Sequence, residues 1–162
     1  MALVIRTLTG TVRVDGKDAE DWPAKDEYIH EERALSDKNG PEGGDRILLE
    51  NQDTLIPHVR AYKWGGECRV EVDMHALLEP IPPIPPGIQA GNIRVWGQAR
   101  FFEGASEDTG DQADIKPFGF SVPPWKYGDN PITWQLDMVN RATVGQDDWA
   151  RVTFNLRNKS SD

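Results

Sequence analysis

Two stretches of the chain carry the residue types that bind a hard cation. Residues 103–114 hold five acids and no base. Of these, Glu107, Asp108, Asp111 and Asp114, with Ser106, Thr109 and backbone carbonyls beside them, are oxygen donors. Calcium takes about six to eight oxygens, several of them carboxylates. One loop of this kind is too few, and its spacing lacks the alternate acids and central glycine of an EF-hand. A second acidic stretch, VDGKDAED at 14–21, adds Asp15, Asp18, Glu20 and Asp21. Loops at one end of an antiparallel sandwich can converge. If these two do, Asp15, Asp18, Asp21, Glu107, Asp108, Asp111 and Asp114 form a calcium site. That makes a calcium-dependent domain for carbohydrate, membrane or protein ligands the alternative reading of the chain. The plainer account is that Ser, Thr, Asp and Gly are what exposed turns are made of.

Zinc is the other metal to weigh, because the chain has three histidines: His30, His58 and His75. A zinc site needs several His, Cys or acidic ligands brought together. A two-residue turn at Gly65-Gly66 would set Asp73 opposite His58, with His75 at the same end of the hairpin. A metal-dependent enzyme built on that His/Asp cluster is therefore a second alternative, although an Asp opposite a His is also an ordinary cross-strand pair. No other catalytic signature is present: the chain lacks G-x-S-x-G, H-E-x-x-H, a P-loop and G-x-G-x-x-G. Cys68 falls on an apolar strand face and reads as a small buried hydrophobe. No catalytic residue is assigned, and no cofactor is required.

Arginine and aromatic residues make the third group. In the register of that two-residue turn, Arg60, Tyr62, Trp64 and Arg69 share the wet face of the 58–75 hairpin. Arg94, Trp96, Arg100 and Phe102 share the wet face of the strand at 92–103. If both belong to one sheet, Arg60, Tyr62, Trp64, Arg69, Arg94, Trp96 and Arg100 form a platform on its outer side. Such side chains dominate binding hot spots. The leading reading is a non-catalytic binding or assembly module, using this face and the acidic edge loops to meet a protein partner or a second copy, or a carbohydrate. Trp22, Trp125, Trp134 and Trp149 are expected in the core or at its rims.

The elements that position these groups follow from a period of two. Leu8, Gly10, Val12 and Val14 alternate with Thr9, Thr11, Arg13 and Asp15. The same pattern runs through Ile93–Phe102 and Trp149–Arg157. Alternation puts one face in a core and the other in water. Further strands are expected at Arg46–Glu50, Phe118–Val122 and Ile132–Asp137, for about eight in all. Turn-rich punctuation between short strands indicates an all-β fold, a single antiparallel β-sandwich, jelly-roll-like in its closest variant. Residues 23–35 are either one short helix or an extended segment. A polar Gly-rich loop spans 36–45. Residues 79–87, EPIPPIPPG, favour polyproline II and read as a stiff crossover.

At 162 residues the chain is one domain, 1–162, long enough to build a core without disulfides. Its net charge of -9 is local: residues 15–32 and 103–114 carry the excess, and the remainder is slightly basic. Nucleic acid does not suit such a surface as a partner, because binding it needs a basic stripe. No apolar run approaches the roughly 20 residues of a membrane helix. The start, MALVIRTLTG, lacks the basic and long apolar parts of a signal peptide, and there is one cysteine. Both features set a cytoplasmic location as the expectation.

Overall fold

The period-two runs form strands in a computed structural model that describes residues 5–20, 23–35, 46–49, 53–79, 91–106, 108–141 and 147–160. Nine strands lie within them: β1 (Ile5–Asp18), β2 (Glu27–Ala34), β3 (Arg46–Leu49), β4 (Asp53–Trp64), β5 (Cys68–Leu78), β6 (Ile93–Glu103), β7 (Gln112–Val122), β8 (Ile132–Asn140) and β9 (Asp148–Ser160). There is no helix among the described residues, and the segment at 23–35 resolves as the extended β2. The Gly-rich loop at 36–45 and the prolines of 80–87 lie outside the described residues.

The strands make two antiparallel sheets packed face to face, a β-sandwich. Sheet A has the order β2-β1-β9-β8, with β3 also on β1; sheet B has the order β4-β5-β6-β7. β1 pairs with β9 along Arg6–Lys17. Its other edge is shared by β3, against Ile5–Leu8, and β2, against Thr11–Asp18. Gly10 lies in the gap between those partners. Its φ is 133°, and a Cβ there would lie 2.0 Å from the Asn155 carbonyl oxygen, so only glycine fits.

The core is the set of inward residues that alternation marks out. Val12, Val14, Val152, Phe154 and Leu156 from sheet A face Val70, Val72, Met74, Val95 and Phe101 from sheet B. Tyr62 ties the sheets together directly, its hydroxyl donating to the Val12 carbonyl at 2.8 Å.

The β4–β5 hairpin corrects the expected register. Trp64 pairs with Cys68, Lys63 with Arg69 and Tyr62 with Val70, so the turn holds three residues rather than two. A shift of one residue exchanges the faces of a strand. Tyr62 and Trp64 therefore point inward, at 0% and 6% exposure, and are core residues rather than part of an outer platform. The cause is Lys63. The two-residue turn would place it on the apolar face, whereas the observed register carries it out to an ion pair with Asp108 at 2.5 Å. In exchange it buries two large aromatic side chains, and apolar area removed from water is worth about 25 cal/mol per Å². Two irregularities, between Ile56 and Val59 and between Val59 and Tyr62, return the rest of β4 to its pairing.

Candidate functional site

The two outer faces differ in chemistry. On sheet A, polar side chains satisfy one another across the strands. Thr11 bonds Glu32, Arg13 and His30 bond Asp15, Arg151 bonds Asp137, and Thr133 bonds Asn155. Burial pushes the Asp15 carboxyl up, but the bonds from His30 and Arg13 outweigh this and hold it below the usual range.

On sheet B the outer face carries arginine and rings. Strand pairing sets His75 beside Trp96 and Trp96 beside Gly119. The His75 ring stacks on Trp96 at 5.3 Å and 16°, and the Arg94 guanidinium lies 5.0 Å from the same ring. Gly119 offers no side chain to cover it. Four residues along β6, Arg100 reaches Asp73 at 2.8 Å and Glu71 at 3.2 Å. Beyond that, Arg69 lies 4.2 Å over Phe102 and 3.1 Å from Glu71. Thus Arg69, Arg94, Trp96 and Arg100 do share one outer face, joined by Phe102 and His75. The side chains of Arg60 and His58 lie outside the described residues.

The expected acidic ligands separate. Asp18 and Asp111 lie at the same end of the sandwich, linked through Glu103. Asp15 is on the outer face of sheet A. Asp108 is held by Lys63, which keeps its carboxyl below the usual range. Asp114 accepts from the backbone N–H groups of Ile115 at 2.8 Å and Val139 at 3.1 Å. Asp21 and Glu107 lie outside the described residues. His30 and His75 sit on opposite sheets. Among the described residues no group of three or more His, Cys, Asp or Glu is arranged to hold a metal ion.

That end of the sandwich holds a cluster made by strand ends remote in sequence. Asn140 on β8 donates to Glu103 on β6 at 2.6 Å and to Asp148 on β9 at 3.3 Å. Asp148 also accepts from the Ala19 N–H at 2.8 Å. Asp18, 3% exposed, lies under the β4–β5 turn, where a Cβ on Gly65 would meet its Oδ2 at 1.9 Å. That oxygen has no hydrogen-bond partner. Burial, then the charges of Asp148, Glu20, Glu67 and Glu103, raise the Asp18 carboxyl to about 7. Glu103 is raised for similar reasons, burial first and then Asp148, Glu67 and Asp111. Cys68 is fully buried in the same place, and burial with the surrounding acids pushes its thiol far up. It is no nucleophile.

Asp148, Glu103 and Asn140 escape a reading of local patterns because their meeting depends on β8–β9 pairing and on the packing of β6 against that pair across the two sheets. The visible signal was that each lies at the end of an alternating run. Of the tryptophans, Trp64 is in the core. Trp134 faces inward at an open edge, stacked 5.4 Å from Phe120, and Trp149 stands on the outer face of sheet A, 38% exposed.

Compared with protein-family models, with curated proteins and with solved structures, the chain matches none of them.

Proposed function

We propose that this protein is a non-catalytic assembly module that pairs with a second copy of itself through the outer face of sheet B. The observation that carries this reading is the part-exposed Trp96 ring, stacked on His75, 5.0 Å from the Arg94 guanidinium and opposite Gly119. An aromatic residue fixed in place loses little entropy on contact, and Trp and Arg are the commonest anchors of interfaces.

The choice of a second copy rests on the order of residues along β6. Its outward positions are Arg94, Trp96, Gln98, Arg100 and Phe102. A two-fold axis through the Gln98 row, lying across the strands, sets Arg94 against Phe102 of the other copy and Trp96 against Arg100. Arg100 meets the Trp96 ring, the geometry of a cation–π contact, while Phe102, 8% exposed, lies beneath Arg69 of its own chain. The same operation brings Glu71 to His75, and Ile115, which is 41% exposed, to the open space over Gly119. A closed two-fold contact must be self-complementary in this way. The face is also richer in arginine than the chain as a whole, whose charge of -9 would oppose association through its acidic end.

The test is the mass of the full chain by sedimentation equilibrium, with Trp96→Ala and Arg100→Glu beside it. A dimer that both variants dissociate supports the reading. A monomer at every concentration, or a dimer indifferent to both changes, overturns it.

A calcium-dependent form of the module has one observation in its favour: Asp18 and Asp111 lie at the same end, and Asp18 is buried without a partner. A ligand that prefers the folded state raises the melting temperature. Stabilisation by millimolar calcium at pH 8, lost in Asp18→Asn, supports this form, and an unchanged melting curve removes it.

A further inference from the structure

β7 and β8 are the edge strands of sheets B and A and meet along one side of the sandwich, and the residues there do not belong to the face described above. Lys116 pairs with Ala99, and Asp114 with Phe101, both of which are fully buried. Lys116 and Asp114 therefore point to the inner side of sheet B. An inward-pointing charge on an edge strand guards that edge against pairing with another strand. A cavity of about 430 Å³ lies there, lined by Lys116 and Asp114 of β7 and by Asp137, Val139, Trp149 and Arg151 of the outer face of sheet A, with the buried Met138 and Ala150 beneath. That volume falls within the range of small-molecule sites, roughly 300–1,000 Å³, which are apolar with a few placed polar groups.

The charges around the cavity differ in how fully they are satisfied. Arg151 is bound to Asp137 through two contacts, at 2.7 and 3.4 Å. Asp114 gives one oxygen to the Ile115 N–H and the other to the Val139 N–H. Lys116 approaches that same Asp114 only at 3.8 Å. An ammonium group has three donors, so Lys116 is the polar group with capacity left. The exposed Trp149 ring and Val139 line the same cavity.

We infer that this cavity binds a small organic anion with a flat apolar body, an aromatic carboxylate, whose carboxylate pairs with Lys116 while its ring lies against Trp149 and Val139. This site is independent of the assembly face.

The experiment titrates the full chain with 2-naphthoate and, separately, with uncharged 2-naphthylmethanol, following backbone amide NMR signals. Saturable shifts are expected at Val139, Trp149 and Ala150, with a Kd below about 1 mM. Lys116→Gln, a change at an exposed tip, should weaken 2-naphthoate at least about tenfold, which is roughly 1.4 kcal/mol. Trp149→Ala should weaken both compounds. Three results would overturn the inference. One is no saturable shift at about 10 mM, a concentration appropriate to the weakest specific binding. Another is equal binding of the charged and uncharged compounds. The third is unchanged affinity in Lys116→Gln, which would leave the inward lysine as a guard against edge pairing only.

Discussion

Replacing Asp18 by Asn should stabilise the protein, and the gain should depend on pH. In the folded chain the Asp18 carboxyl titrates at about 7, against an ordinary value of 3.8. The groups facing it are all acids: Glu20 beyond the end of β1, Glu67 in the β4–β5 turn, Glu103 on β6 and Asp148 on β9. A carboxyl whose folded pKa is raised favours the folded state fully below its unfolded pKa. The contribution is lost as pH rises through the folded value. The loss therefore runs from about pH 4 to about pH 7 and is complete above it. About three pKa units at 1.36 kcal/mol each set an upper limit of roughly 4 kcal/mol. For a domain of this size 1 kcal/mol moves Tm by about 2–4 °C. Asp18→Asn keeps the shape, removes the charge and supplies an amide donor toward the surrounding carboxylates. At pH 8 it should melt above the wild type, by at most on the order of 10 °C, and at pH 4 the two should nearly coincide. Glu103 is raised as well, with the same sign, and its contribution is common to both proteins apart from its repulsion by Asp18. The assay is thermal unfolding at half-unit pH steps. A variant no more stable than the wild type at pH 8, or a gain that does not change with pH, would refute the reasoning.

Two further predictions concern groups buried deep in the sandwich. Asn158 is fully buried and donates to the Gly91 carbonyl at 2.6 Å and the Val122 carbonyl at 2.9 Å, closing the end opposite Asp18. Asn158→Ala strands two buried acceptors and should cost about 2–4 kcal/mol in urea unfolding; a loss below about 1 kcal/mol would show that those bonds do not hold that end. Cys68 should resist a thiol reagent such as DTNB in the native state at pH 8 and react at once in denaturant, and rapid native labelling would contradict its burial.

Most of the architecture was legible because alternation reports which face of a strand is wet. Val12 and Val14, Val95 and Phe101, and Val152 and Phe154 all lie inward, as their spacing requires. The hairpin failed at a point the sequence itself marked, since Lys63 had no place on an apolar face. A local pattern cannot show a three-residue turn or two bulges, and these put Tyr62 and Trp64 in the core. β7 begins at Gln112 rather than Phe118, because Asp114, Lys116 and Pro117 break the alternation there. Pro117 is tolerated because β7 is an edge strand. The Arg69, Arg94, Trp96 and Arg100 part of the outer face was legible once β5 and β6 were taken as neighbours. The acidic end was not, since it joins the end of β1 to the start of β9, and no local signal reports that pairing.

The assembly reading stands or falls on what lies opposite Gln98. Cys68 is buried, so Gln98→Cys adds the one accessible thiol on this chain. In the two-fold arrangement the new thiols face each other across the axis. Mild oxidation of Gln98→Cys should give a disulfide-linked dimer within minutes at micromolar protein, while Thr133→Cys, on the outer face of sheet A, should give little. Equal, slow cross-linking of both variants would contradict pairing through the outer face of sheet B.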